Sequence, residues 1–434
     1  MQKTTTLNHE IIGIAFPAIT TNITVPLLGL CDSAIVGHLG SASYIGAIAV
    51  GGMCFNILYW LLGVLRMSTS GLTAQSYGSG EDTGGVLCRS LVAALALAGV
   101  ILLLQEPFLR LCLWIMSPSA EVASNAELYV RICIWGAPAV LCQFAINGWM
   151  LGLQNARFPL YIAVTQNIVN IILSLFFVFG IGMRVAGVAL GTMLAQWIGV
   201  GIALALASRL TTLREVWKQL HTVMSNGIDE WKRMMAVNRD LFLRTVCMVA
   251  VTLFFTSAGA RQGDDILAVN SLLMQYFMFF SYFTDGFAFA GEALCGKYLG
   301  SGDMKRLNNV VRALLTWGAG LALLFTAIYC GLGRDILTLL TNQPSVIAAA
   351  EPYWIFVILV PVTGFAAFVW DGVMAGMTET KLLLYATLAG MVLFAASLTL
   401  SPLGDTNAKL WTAFLLYLAA RSATQTYCYF KKYS

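Results

Sequence analysis

The sequence predicts an all-α membrane protein: twelve transmembrane helices in two six-helix lobes, related by a parallel pseudo-twofold repeat. Three observations predict it. The chain is 59% hydrophobic and 11% charged, with a mean hydropathy of +0.78, whereas a soluble domain carries about 25% charged residues. Twelve apolar stretches are long enough to cross a bilayer. A set of short motifs also recurs at a nearly constant offset between the two halves of the chain.

The apolar stretches fall near 11–37, 44–76, 86–105, 126–152, 159–182, 185–208, 241–260, 266–298, 307–332, 353–376, 382–402 and 408–430. The second and the eighth are over-long and are expected to project beyond the bilayer. Glycine is frequent, at 40 residues, as where transmembrane helices pack closely. The least apolar region, 209–240, holds Arg209, Arg214, Lys218, Lys232, Arg233 and Arg239. It reads as a cytoplasmic linker between lobes at 1–208 and 241–434.

Lys and Arg placement sets the orientation. With the N-terminus in the cytoplasm, the inner segments hold Lys3, Arg89, Arg157, the linker residues, Lys297, Lys305, Arg306, Arg312, Lys381, Lys431 and Lys432. The outer loops hold Arg110, Arg184, Arg261, Arg334 and Lys409. Both termini and the linker are expected in the cytoplasm, with no removable signal peptide. The ten cysteines include no CxxC pair, and the three histidines, at 9, 38 and 221, lie far apart. Reduced, buried thiols are expected, and no metal site or other cofactor. A net charge of +4, dispersed along the chain, gives no reason to expect nucleic acid.

The repeat is visible residue by residue. Gly78-Ser79-Gly80-Glu81 matches Gly300-Ser301-Gly302-Asp303 at an offset of 222. Asn147-Gly148-Trp149-Met150-Leu151-Gly152 matches Asp371-Gly372-Val373-Met374-Ala375-Gly376 at 224, as does Glu127-Leu128-Tyr129 with Glu351-Pro352-Tyr353. Six helices is an even number, so both halves enter from the same side and the repeat is parallel. The repeat breaks at polar positions. Asp32 maps onto Phe254, Asn170 onto Phe394 and Ser174 onto Leu398. Coupling chemistry is therefore expected in the N-terminal lobe.

Asp32 is the first candidate. It sits deep in an apolar helix, where an acid costs roughly 2.5–3.5 kcal/mol on insertion scales. It reads as an ion-coupling group facing an internal cavity; the alternative is a structural acid bonded to neighbouring helices. Asn167, Asn170 and Ser174 share one face of the fifth helix by i, i+3, i+7 spacing, and Thr192 lies in the sixth. They are candidates to hydrogen-bond Asp32 and tune its proton affinity, or to act as packing contacts between helices at about 0.6 kcal/mol each. Pro17 and Pro26 interrupt the first helix on the approach to Asp32 and are candidates for a bend.

The second half has its own acids: Asp285, Glu292 and Asp371, replacing Gly63, Ser70 and Asn147 of the first. With no obvious intramembrane Lys or Arg partner, they read as a cation-attracting wall, although Lys297 can pair with Glu292. Met53, Met67, Met274, Met278 and Phe287 are candidates to line the substrate cavity beside them; each singly also fits a core or a lipid-facing surface. No P-loop, HExxH, GxSxG or Cys/His metal spacing is present, so no enzyme is expected. Energy must come from an ion gradient or a partner.

The run Asn22-Ile23-Thr24-Val25-Pro26-Leu27-Leu28-Gly29-Leu30-Cys31-Asp32, with Val36-Gly37-His38-Leu39-Gly40, resembles the first helix of the multidrug and toxic compound extrusion (MATE) family. Leu65-Arg66-Met67-Ser68-Thr69-Ser70-Gly71-Leu72-Thr73-Ala74-Gln75, Asp285-Gly286-Phe287-Ala288-Phe289-Ala290-Gly291-Glu292 and Trp370-Asp371-Gly372 resemble its damage-inducible F (DinF) branch. The resemblance covers essentially the whole chain. It implies a plasma-membrane antiporter that exports drug-like, often cationic, organic compounds by alternating access, working as a monomer in the bilayer. It implies that Asp32 is the coupling aspartate and Pro17 the bending proline. Asn170 and Thr192 match the family's polar partners. Where many members carry a second acid, this chain has Ser174, which favours H+ over Na+ as the coupling ion. The nearest alternative is a lipid-linked oligosaccharide flippase of related architecture.

Overall fold

The computed structural model describes residues 2–38, 41–211, 228–400 and 406–433. Residues 212–227 of the expected linker, with Arg214 and Lys218, lie outside them. The described chain is helical from end to end, with no strand among the described residues.

The first half comprises α1 (Gln2–Gly37), α2 (Ala42–Leu62), α3 (Val64–Ser79), α4 (Gly84–Leu103), α5 (Gln105–Met116), α6 (Ala120–Cys133), α7 (Ala137–Gly152), α8 (Arg157–Leu175) and α9 (Arg184–Ala207). The second comprises α10 (Ile228–Ala260), α11 (Asp264–Gly300), α12 (Met304–Gly331), α13 (Gly333–Leu340), α14 (Pro344–Ala350), α15 (Trp354–Gly376), α16 (Thr380–Leu400) and α17 (Thr406–Tyr433). Among the described residues, eleven helical runs are long and apolar enough to span a membrane. The twelfth expected span, α17, forms as a helix, but its buried face carries Arg421 and Gln425, which lowers its apolar character.

The two over-long spans are equal in length. Ser43–Ser79 and Asp264–Gly300 are each 37 residues, about 55 Å at 1.5 Å per residue, well beyond the 30 Å hydrocarbon core. The first is divided at Gly63 into α2 and α3, whereas α11 runs unbroken through Asp285 at the matching position.

The chain divides into two compact units. The N-unit is Thr20–Met235; the C-unit is Met1–Ile19 with Ala236–Ser434. The dividing points fall inside α1 and inside α10, so each of these helices contributes to both units.

Within the units the repeat is expressed as the same backbone contact. In the N-unit a Cβ on Gly148 would lie 2.3 Å from the Arg66 carbonyl oxygen, and one on Gly152 would lie 2.7 Å from that of Ser70. In the C-unit a Cβ on Gly372 would lie 2.0 Å from the Ala288 carbonyl oxygen, and one on Gly376 would lie 2.4 Å from that of Glu292. Those carbonyls are themselves related by the offset of 222. Glycine is needed at all four positions because each helix pair packs backbone to backbone. The C-unit core is aromatic, with Phe255, Tyr276, Phe280, Phe325, Tyr329 and Trp411 buried together. The N-unit core is more aliphatic, as in the cluster around Ile35, Val36, Val185 and Val188.

Candidate functional site

In the N-unit, α1 carries Asp32 into a buried position, 6% exposed. Its Oδ1 is enclosed and has no hydrogen-bond partner. Tyr129 and Cys133, both on α6, lie within electrostatic reach of it. Gly51 on α2 makes room for the tyrosine: a Cβ there would lie 2.4 Å from Tyr129 Cδ1. The sequence motif containing Tyr129 marks the repeat, but nothing in its spacing places the ring near Asp32.

The polar residues of the fifth and sixth spans form their own chain. Asn170 Nδ2 donates to Thr192 Oγ1 at 3.0 Å, and Ser174 Oγ donates to Asn170 Oδ1 at 3.5 Å. Gly191 permits this approach of α9 to α8, since a Cβ there would lie 2.6 Å from Ser174 Oγ. Asn167 Nδ2 donates to the Thr24 carbonyl at 3.2 Å and so ties α8 to α1. The expectation that these groups hydrogen-bond Asp32 is therefore corrected. Shared helical face was inferred from spacing, but each side chain finds a nearer partner, and an enclosed carboxylate oxygen is left without a donor.

At the corresponding positions of the C-unit the chemistry is apolar and in contact. Phe254 and Phe394, which stand where the first half has Asp32 and Asn170, meet edge to face at 5.7 Å between ring centres. Pro17 and Pro26 lie within α1, which continues as helix through both. Pro17 is in the C-unit and Pro26 in the N-unit.

The expected acidic wall is corrected at Asp371. That carboxylate is buried and paired with two arginines, Arg244 and Arg421, and its other oxygen accepts from Gln425 Nε2 at 2.9 Å. Arg244 and Arg421 lie inside the apolar stretches 241–260 and 408–430, which contradicts the expectation of no intramembrane Arg partner. What the sequence lacked was any sign that 127 and 50 residues of separation close onto one aspartate. Glu292 is 1% exposed on α11. Its expected partner Lys297 instead stands over the Tyr298 ring at 5.2 Å, and no ion pair joins the two among the described residues. Asp285 is half-buried on the same helix.

The candidate cavity residues divide between the units. Met53 is exposed on α2 and Met67 half-buried on α3. In the C-unit, Met274 packs against the aromatic core, Met278 is half-buried, and Phe287 stacks on Trp317 at 5.9 Å. Among the described residues no three His, Cys, Asp or Glu side chains converge as a metal site would require.

The MatE family profile matches residues 17–176 and 241–400, one copy in each half. The DNA damage-inducible protein F of Escherichia coli strain K12 is 38% identical over 411 residues, covering 94% of this chain and 89% of that protein. A probable multidrug resistance protein NorM of Thermotoga maritima is 24% identical over 423 residues, covering 94% and 84%. The crystal structure of the Vibrio cholerae MATE transporter VcmN in the bent form superposes with a TM-score of 0.86 at 16% identity, covering 100% of this chain and 98% of that one. That last likeness concerns the fold alone.

Proposed function

This chain belongs to the MatE family, and from that premise we propose that it is a proton-coupled antiporter exporting drug-like, often cationic, organic compounds by alternating access. The observation that supports the reading most is Asp32. It is a buried carboxylate on a membrane helix, its Oδ1 bonded to no described residue, with Tyr129 and Cys133 of α6 close enough to feel its charge. A carboxylate without an ion-pair partner can take up and release a proton as its surroundings change. Asn170, Ser174 and Thr192 support it by holding α8 and α9 in register.

The choice of proton over sodium rests on ligand supply. Sodium, like other hard cations, requires several oxygen ligands. Here there is one carboxylate; Asn170 Oδ1 already accepts from Ser174 and Thr192 Oγ1 from Asn170. In this reading Pro17 and Pro26 supply the bend of α1. Met53, Met67, Met274, Met278 and Phe287 contribute soft apolar surface for substrate, and Asp285 and Glu292 the acidic character beside it. The protein works as a monomer in the bacterial inner membrane, both termini in the cytoplasm, and catalyses no covalent reaction. Purified protein in liposomes tests this. Ethidium transport should follow an imposed proton gradient and be nearly indifferent to a sodium gradient. Transport driven by sodium alone would replace the proposed ion, and transport with neither gradient would remove the coupling.

A further inference from the structure

Two cysteines that the coupling chemistry does not use meet in the N-unit. Cys54 lies on α2, 1% exposed, and Cys112 lies on α5, partly exposed. Their thiols are side-chain hydrogen-bond partners. The packing of the two helices brings them together independently. Gly51, Cys54, Phe55 and Leu58 follow one face of α2, and Leu109, Cys112 and Leu113 one face of α5, by i, i+3, i+4 spacing. Phe55 and Leu109 are buried in a single core cluster, and Leu58 and Leu113 pack against it. The α2 and α5 backbones come within 8 Å of each other, and a disulfide spans Cα atoms about 4.4–6.8 Å apart. Cys133 of α6 belongs to the same cluster, but its Sγ donates to the Ala189 carbonyl at 3.6 Å. That leaves Cys112 as the thiol facing Cys54.

The two thiols differ in access. The helix α5 lies between the spans Gly84–Leu103 and Ala120–Gly152 and belongs to neither. Its first turn is fastened at the surface by Arg131, which pairs with Glu106 and Glu127, the three side chains being 42–45% exposed. A reagent from water therefore meets Cys112 first, and the buried Cys54 stands behind it. This is the arrangement of an attacking thiol and a resolving thiol.

We propose that Cys54 and Cys112 form a redox-reversible dithiol, a modification site whose oxidant is a low-molecular-weight disulfide and whose product is a bridge tying α5 to α2. The Cys112 thiolate attacks one sulfur of the oxidant, R–S–S–R; a Cys112–S–S–R bond forms and RS− leaves. The Cys54 thiolate then attacks Cys112 Sγ, the bridge forms and the second RS− leaves. The two cysteine protons end on the two released thiols, and the two electrons lost by the protein are gained by the oxidant. The bridge encloses α3 and α4 in a covalent loop. It also pins the stretch of α2 where Gly51 receives the Tyr129 ring.

Oxidised glutathione added to purified full-length protein in detergent tests this without reference to transport or to orientation in the membrane. The reaction is quenched with acid, the protein unfolded, the remaining thiols alkylated and the peptides mapped by mass spectrometry. A Cys54–Cys112 peptide pair two hydrogens lighter than the sum of its reduced members is expected, and dithiothreitol should abolish it. The mapping separates this bridge from glutathione carried by the exposed Cys330. Cys54→Ser removes the resolving thiol and should trap glutathione on Cys112. Cys112→Ser should leave Cys54 reduced. Glutathione retained on Cys112 of the wild type with no bridge would overturn the proposal, by showing that the thiols do not meet. Cys54 and Cys112 both staying reduced in folded wild-type protein, under conditions that modify Cys330, would overturn it as well.

Discussion

The two halves of this chain use one scaffold for opposite electrostatics. Each packs a pair of glycines against the same pair of carbonyls, Gly148 and Gly152 in the N-unit, Gly372 and Gly376 in the C-unit. Each also buries an aspartate. Asp32 Oδ1 has no hydrogen-bond partner among the described residues, whereas Asp371 is bound by two guanidiniums and an amide. A carboxylate held by two arginines and an amide ties three helices together. One with no cation beside it is free to be neutral or charged. The difference teaches that a buried acid is functional or structural according to what packs against it, not according to its depth in the membrane.

The same conservative change should therefore have opposite consequences in the two lobes. Asp371→Asn leaves two buried arginines without their carboxylate and should cost about 3–5 kcal/mol, the range for breaking a buried ion pair. Asp32→Asn removes an unpaired buried charge and should leave the thermal unfolding midpoint in detergent unchanged or higher. Equal destabilisation by the two substitutions would erase the distinction.

A smaller effect should be shared by both lobes. Gly148→Ala and Gly372→Ala each drive a methyl group into a backbone carbonyl and should each cost roughly 1–3 kcal/mol. Gly201→Ala on α9 meets nothing within 4 Å and should be neutral or slightly stabilising. If only one of the first pair destabilised, the packing would not be a common feature of the repeat.

The coupling ion offers a sharper contrast within the N-unit. Ser174→Asp places a second carboxylate on α8 near Asn170 and Thr192, a better oxygen set for a hard cation. Sodium-dependent efflux should rise in this variant relative to wild type, and an unaltered sodium response would remove Ser174 as the determinant. The smallest expected effect is on stability in Asn170→Ala, about 0.6 kcal/mol for the lost contact with Thr192, read from chemical denaturation in mixed micelles.

Much of this was legible in the sequence because it depends on periodicity. The spans, the 37-residue pair of over-long helices and the glycine positions all follow from apolar runs and a fixed offset. So did Asp32, since a lone acid in an apolar helix stands out by itself. Partners were less legible. Spacing of i, i+3, i+7 places Asn167, Asn170 and Ser174 on one face but says nothing of which atom that face meets; Thr24, Thr192 and Asn170 itself turned out to be nearer than Asp32. Proximity along the helix allows Lys297 to pair with Glu292, yet its ammonium stands over the Tyr298 ring. The Arg244–Asp371–Arg421 centre was missed because three helices far apart in the chain build it. Both arginines stand inside apolar spans, a signal that the expectation of unpartnered acids passed over.

The central claim is that Asp32 carries the coupling and does not hold the fold together. It is tested most directly by proton-gradient-driven efflux from liposomes containing wild-type or Asp32→Asn protein, at matched amounts and with matched unfolding midpoints. Substrate should move against its gradient with the wild type and not with the folded variant. Efflux by Asp32→Asn at the wild-type rate would contradict it.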